Sequence, residues 1–225
     1  IVFAASLGIT PNSACATSAM RESLNGNEVA AEVLKRTGVA IEIIDGSEEA
    51  NIIASTDIST LIGTDKSYLY IDVGGGSTEF TVFSNGKQKK SRSFPIGTVR
   101  LLDNKVSDEM WEEVKQWIEK HTKDCPHIEA IGSGGNINKI HKNANVLENA
   151  PLTYEYLTDY YNYVSGFTYD ERIKLLGFNP DRADVILYAL TVFINAMKWS
   201  GAKIVHVPRI GLADGIVRSI YKKGL

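Results

Sequence analysis

Cysteine is nearly absent from the sequence: Cys15 and Cys125 are too few for the disulfide framework of a small secreted domain and lack metal-ligand spacing. A reducing cytoplasm is the expected setting. Histidine is sparse as well, and His121, His127, His141 and His206 show no metal-binding spacing. No Ser-His-Asp pattern supports nucleophilic catalysis. An excess of one charge is also lacking. The formal net charge of −3 provides no global basic field, which argues against a nucleic-acid duplex as partner and requires any polyanion to be held locally. Long apolar runs are missing too. Ile1-Val2-Phe3-Ala4-Ala5 is short and without a basic flank, so neither a membrane span nor a signal peptide is expected, and no membrane role. The chain contains no repeat of solenoid length and no low-complexity tract.

What is present is enough for a globular fold. With 225 residues and 44% hydrophobic content, the chain can bury the core of one large or two modest domains. Val39 to Ile44 (VAIEII) reads as a buried strand, and Ser47-Glu48-Glu49 supplies a cap and acids for a helix through Ile53. Ser67 to Val73 (SYLYIDV) and Thr78 to Phe83 (TEFTVF) are rich in aromatic and β-branched residues, which predicts two strands joined by the turn Gly74-Gly75-Gly76. Asn85-Gly86 predicts another hairpin, with Lys87 to Phe94 as the third strand of a meander. Asp108 to His121 has helical periodicity behind Ser107 as N-cap. Ile128 to Ile131 predicts a strand that runs into Gly132-Ser133-Gly134-Gly135, followed by a helix over Asn136 to His141. Further helices are expected over Thr153 to Val164 and Tyr169 to Leu176, and one long apolar helix from Asn179-Pro180 to about Trp199, closed by Gly201. Lys203 to Val207 predicts a last strand and Leu212 to Tyr221 a last helix. This order predicts an α/β fold with a mixed sheet, divided at the polar stretch Thr64-Asp65-Lys66 into residues 1–65 and 66–225, with packing of the final helix back on the first part left open.

The segment richest in chemistry is Asp72 to Glu79 (DVGGGSTE). Gly74, Gly75 and Gly76 let backbone amides approach an anion, Ser77 and Thr78 add hydroxyls, and Asp72 at the strand end can hold a divalent cation. The plainer alternative is a glycine turn with a capping aspartate, which the acids on both sides of the turn disfavour. Glu48-Glu49, at a helix start after a buried strand, can aim one carboxylate at a water for attack on a phosphoryl group, or both can complement the helix dipole. In Ala16 to Glu22 (ATSAMRE), Arg21 either neutralises phosphate oxygens or pairs along its own helix with Glu22 or Glu28. Gly134 and Gly135 stand at a strand-to-helix junction that can receive a second phosphate group or a nucleotide. Lys87, Lys89, Lys90 and Arg92 form a basic strand face that either steers a polyanion or guards a sheet edge. Tyr154, Tyr156, Tyr160, Tyr161 and Tyr163 stack a base or pack helix on helix.

In order along the chain, ATSAMRE, SEEA at Ser47 to Ala50, DVGGGSTE, Phe94-Pro95-Ile96-Gly97 and GSGGN resemble the exopolyphosphatase and guanosine pentaphosphate phosphohydrolase family, and the similarity continues through Glu171-Arg172 and Arg182-Ala183-Asp184-Val185-Ile186 to Gly211-Leu212-Ala213-Asp214-Gly215. The resemblance implies an actin-like ATPase fold, with two ribonuclease H-like domains of mixed sheets and flanking helices facing a cleft. It implies that Glu49 activates water, Asp72 associates with a metal and Gly74 to Thr78 hold phosphate. It further implies that Glu79 assists the metal or the water and that Arg21 contacts substrate. Magnesium, or another divalent cation, is the implied cofactor, and polyphosphate or guanosine pentaphosphate the implied substrate, with orthophosphate released. Two other functions stay open: a silent module that binds polyphosphate or an alarmone, and an actin-like kinase or ATPase. The family opens on a further phosphate loop, Asp-x-Gly-Ser-Asn, that nothing before Ala14 matches, so the chain is expected to lack its N-terminal segment. It is expected to be a short two-domain form, without the extra helical domains of longer members. Where the family usually has an arginine, Ala213 stands. Homodimer formation is left open.

Overall fold

The first strand, β1 (Ala14–Ala16), pairs in parallel with β2 (Ile41–Ile43), and a parallel pair needs a crossover. The crossover is helical: α1 (Ser18–Arg21) is followed by α2 (Gly26–Thr37), which Gly38 closes by donating its amide to the Leu34 carbonyl at 2.8 Å. The computed structural model describes residues 14–46, 48, 52, 65–125, 127–147, 149–208, 216, 217 and 221. The chain divides into two units, residues 1–56 with 211–225, and residues 57–210. The helices predicted over 47–53 and 212–221 fall largely outside the described residues.

The second unit is built on the predicted meander. Strands β3 (Ser67–Val73), β4 (Thr78–Ser84) and β5 (Lys87–Phe94) run antiparallel, and Asn85 and Gly86 both take positive φ at the β4–β5 turn, as the Asn-Gly signal requires. After α3 (Thr98–Leu102) and α4 (Asp108–Thr122), β6 (Ile128–Ser133) adds in parallel to β3. Ser107 caps α4 by accepting the Met110 amide. The chain continues through α5 (Gly135–Asn143), β7 (Leu152–Thr153), α6 (Tyr154–Ser165), α7 (Tyr169–Lys174), α8 (Pro180–Ala183), α9 (Ile186–Ser200) and β8 (Ile204–His206). The resulting six-stranded sheet has the order β5-β4-β3-β6-β8-β7. Antiparallel meander, then parallel strands reached through helices, is the α/β arrangement with a mixed sheet that the order of elements predicts.

The core follows from period-two alternation. Leu69, Ile71, Val73, Phe80 and Val82 lie on one face of the sheet, against the apolar sides of α4 and α9. Phe80, Phe94 and Trp117 meet there at ring separations of 5.9 to 6.4 Å. The tyrosine cluster of α6 forms a ladder, with Tyr156 and Tyr160 stacked at 5.7 Å. One sequence expectation fails: the long helix from 179 to 199 is two helices, α8 and α9. At the break the Val185 amide turns tightly onto the Arg182 carbonyl, and the Arg172 guanidinium takes the Ala183 carbonyl at 3.2 Å. The helices α2 and α3 and the short strand β7 were not anticipated. Among the described residues no helix is long and apolar enough to cross a membrane.

Candidate active site

The antiparallel register of β3 and β4 sets Asp72 opposite Glu79, so both carboxyl groups project from the same face, beside one another. Glu79 is buried, and its Oε1 accepts hydrogen bonds from the hydroxyls of Ser77 (2.6 Å) and Ser93 (2.7 Å). Asp72 accepts one from the Ser133 hydroxyl, its neighbour on β6. Desolvation by the surrounding protein, reinforced by the charge of Glu79, pushes the Asp72 carboxyl up to about 7 against that bond. The residue as a whole is only partly buried, at the strand end where the glycine loop begins. Among the described residues no three or more His, Cys, Asp or Glu side chains are grouped to hold a metal ion. The donors on offer are a carboxylate pair, which suits a hard divalent cation that keeps several waters and shares the oxygens of a phosphate.

Between the two acids runs the glycine loop. Its turn closes with the Gly74 amide donating to the Ser77 carbonyl at 2.9 Å. The carbonyls of the loop are then taken from behind: Gly74 accepts from the Thr98 amide (3.0 Å), Gly75 from the Val99 amide (2.9 Å) and Gly76 from Arg100 Nε (2.9 Å). The amides of Gly75, Gly76 and Ser77 have no hydrogen-bond partner among the described residues. Carbonyls anchored on one side and donors left over on the other make a backbone cradle for an anion. Gly97 allows this close approach. A methyl group built on it meets the Gly75 carbonyl oxygen and lies 2.5 Å from the Gly76 carbonyl carbon. Thr78 fastens the same seam by donating its hydroxyl to the Ile96 carbonyl.

Because β3 and β6 are parallel, the glycine loop after β3 and the one after β6 open at the same edge of the sheet, where α/β proteins bind ligands. Gly134 has φ +106, and a Cβ there would stand 3.0 Å from the Val73 carbonyl oxygen and 3.4 Å from Asp72 Oδ1. Gly135 starts α5, and the Arg182 guanidinium lies across it, 2.5 to 2.6 Å from where a Cβ would sit. Arg182 also donates to Asn136 Oδ1 at 3.4 Å. A cation beside the amides of a helix start adds a second anion-attracting position. In the sequence, the segment around Arg182 stands out only through the family resemblance. Forty-six residues separate it from Asn136, so no local pattern could have announced the contact.

Asp72, Gly74, Gly75, Gly76, Ser77, Thr78, Glu79, Gly134 and Gly135 therefore gather around two adjoining loops of the second unit. Arg21 belongs to the first unit, where its Nη1 donates to the Ile44 carbonyl at 2.8 Å and ties α1 to the end of β2. Glu49 lies outside the described residues; the neighbouring Glu48 amide is held by Asp45 Oδ1 at 2.8 Å.

A family model for the Ppx/GppA phosphatase family matches residues 4–224. The chain belongs to that family. Among curated relatives, the bifunctional 3-dehydroquinate synthase/phosphatase of Fusobacterium nucleatum is 27% identical over 212 residues, covering 85% of this chain and 32% of that protein. Exopolyphosphatase 1 of Mycobacterium leprae is 22% identical over 235 residues, covering 95% of this chain and 69% of that protein. The chain thus spans about a third of the first relative and about two thirds of the second. Several solved structures share the fold, two of which illustrate it. An exopolyphosphatase from Cytophaga hutchinsonii superposes with a TM-score of 0.80 at 21% identity, over 99% of this chain and 78% of that one. The Ppx/GppA family member of Aquifex aeolicus gives 0.76 at 22%, with the same coverage.

Proposed function

We propose that this Ppx/GppA family member releases orthophosphate from the end of a linear polyphosphate, with guanosine pentaphosphate accepted at the same site. One observation carries the reading: the amides of Gly75, Gly76 and Ser77 are left without partners among the described residues, next to the Asp72 and Glu79 carboxylates. A terminal phosphoryl group needs donors for its oxygens and a carboxylate-held cation for its charge, and both lie within one hairpin. A magnesium ion on Asp72, assisted by Glu79, would offset charge on the bridging and terminal oxygens. The amides of Gly75, Gly76 and Ser77 grip the terminal phosphate, while the Ser77 and Thr78 hydroxyls, donated to Glu79 and to the Ile96 carbonyl, hold the loop in shape rather than binding phosphate as the sequence suggests. Gly134 and Gly135, with Arg182 beside them, receive the next. Glu49 orients and deprotonates the attacking water, and Arg21 neutralises a phosphate oxygen. The new bond joins the water oxygen to the terminal phosphorus; the bridging P–O bond breaks, and its electron pair stays with the shortened chain. Neither Cys15 nor Cys125 is in a disulfide, which suits a cytoplasmic setting.

Orthophosphate release from polyphosphate, guanosine pentaphosphate and ATP, measured with magnesium, tests this reading. Polyphosphate or pentaphosphate should yield phosphate, and Glu49→Gln should lower that rate by roughly 10²-fold or more. Binding without release would replace the enzyme by a sensor. ATP consumption that depends on a small alcohol would replace it by a kinase, and equal rates in Glu49→Gln and parent would remove Glu49 from the chemistry.

A further inference from the structure

The register that sets Asp72 opposite Glu79 continues across the sheet on both sides. Asp72 on β3 faces Ser133 on β6, and Glu79 on β4 faces Ser93 on β5, so Ser133, Asp72, Glu79 and Ser93 form one row over four neighbouring strands. Directly opposed residues share a sheet face, with Cβ atoms about 4.5 to 5.5 Å apart. Two carboxyl groups at such a distance repel when both are charged, and the longer glutamate side chain has rotamers by which it can swing away. Glu79 is held against that freedom. It is 2% exposed, and its Oε1 takes the Ser93 hydroxyl at 2.7 Å and the Ser77 hydroxyl at 2.6 Å. The two donors come from separate segments: Ser77 from the glycine loop before β4, and Ser93 from the edge strand β5. Two bonds converging on one oxygen fix where that oxygen lies, and with it the carboxylate.

We infer that Ser93 is a positioning residue of the proposed site: its hydroxyl, together with that of Ser77, braces Glu79 beside Asp72 so that the two acids can act on one divalent cation. The inference rests on the reading above, in which a cation sits on Asp72 with help from Glu79. Carboxylates that serve a metal are themselves held by hydrogen bonds, and loss of such a support weakens the metal site. Period two turns Arg92 and Phe94 to the other face, where the Arg92 guanidinium lies over the Phe94 ring at 4.4 Å, so this end of β5 offers Ser91 and Ser93 to the face of the acids. Ser93 donates to Glu79 and to no part of the loop among the described residues, so its loss leaves the phosphate donors in place. Ser91 is an internal reference. Its hydroxyl lies 2.8 Å from that of Thr81, one row further from the loop, and bonds to the Phe80 carbonyl rather than to either acid.

Four variants of the full chain test the brace. Ser93→Ala removes the hydroxyl, while Ser93→Val and Ser93→Thr match each other in shape and differ in the hydroxyl; Ser91→Ala is the control. The Kd for Mn²⁺, read from the EPR signal of the free ion, should rise about tenfold in Ser93→Ala and Ser93→Val and stay within about twofold in Ser93→Thr and Ser91→Ala. Turnover of tripolyphosphate should need about tenfold more magnesium for half its maximal rate in the first two variants, with KM for tripolyphosphate at saturating magnesium unchanged. A hydroxyl that only supports the fold gives another pattern: Ser93→Ala and Ser93→Val would unfold at lower temperature yet bind Mn²⁺ as the parent does, and that result would overturn the inference. An equal loss in Ser93→Thr, or a parent that binds no Mn²⁺, would overturn it too. Weaker Mn²⁺ binding in Ser93→Ala and Ser93→Val, in a chain that cleaves neither polyphosphate nor guanosine pentaphosphate, would keep the brace and refute the hydrolase reading.

Discussion

Replacing Gly97 by alanine is expected to lower the stability of the protein by about 3 kcal/mol, equivalent to a fall in Tm on the order of 10 °C. The added methyl group has nowhere to go. It would sit against the Gly75 carbonyl and 2.5 Å from the Gly76 carbonyl carbon, and these are backbone atoms of a turn whose carbonyls are already anchored by Thr98, Val99 and Arg100. A flexible side chain could yield, but this seam cannot move without tearing the loop from its support. Gly75→Ala is the informative comparison. There the new methyl group meets Val99 Cγ2 at 3.3 Å, a side-chain carbon that can shift a few tenths of an ångström. Thermal unfolding should therefore leave Gly75→Ala within about 1 kcal/mol of the parent. Equal stability loss in the two variants would show that the packing of 97 on 75 and 76 is not what holds the loop.

The second large effect belongs to Asp72. Its ordinary value is 3.8, and in the fold it rises to about 7, through desolvation first and the Glu79 charge second. Between about pH 4 and pH 7 the folded chain keeps a proton that the unfolded chain has released. Stability therefore falls as pH rises through that window, and the full cost of the buried charge is present above pH 7. In metal-free buffer at pH 8, Asp72→Asn should be more stable than the parent, and its stability should change less between pH 4 and pH 7. Turnover should move the opposite way. If Asp72 holds a cation as proposed, its loss should remove several kcal/mol of charge stabilisation in the transition state, a fall of about 10² to 10³ in rate. A residue whose replacement stabilises the fold while disabling the reaction is kept for its chemistry. If Asp72→Asn were less stable than the parent at pH 8 in metal-free buffer, the account of its environment would be wrong.

Much of this was legible in the sequence, for reasons that can be named. The meander announced itself because SYLYIDV, TEFTVF and the Asn-Gly turn are local signals that agree with one another, and the structure follows them to within a residue. Helix α4 was legible through Ser107 and its apolar spacing. Helix α2 carried a signal that went unused: Lys35-Arg36 in its last turn and Gly38 just beyond, which takes φ +73 as a C-cap. The gathering of Asp72 with Gly134 could be expected only through the family resemblance, since parallel pairing of β3 and β6 is a tertiary fact. Two features were out of reach for the same reason. The break between α8 and α9 involves the reach of Arg172 to Ala183, and the role of Gly97 depends on a loop more than twenty residues earlier. Periodicity cannot report a contact between segments distant in sequence.

Amide NMR spectra recorded during a titration with tripolyphosphate and magnesium probe the cradle most directly. Binding should shift the signals of Gly75, Gly76 and Ser77 furthest, with Gly134 and Gly135 next and the strand lysines unmoved. Saturation of binding with those five amides unchanged, while signals elsewhere respond, would contradict the site.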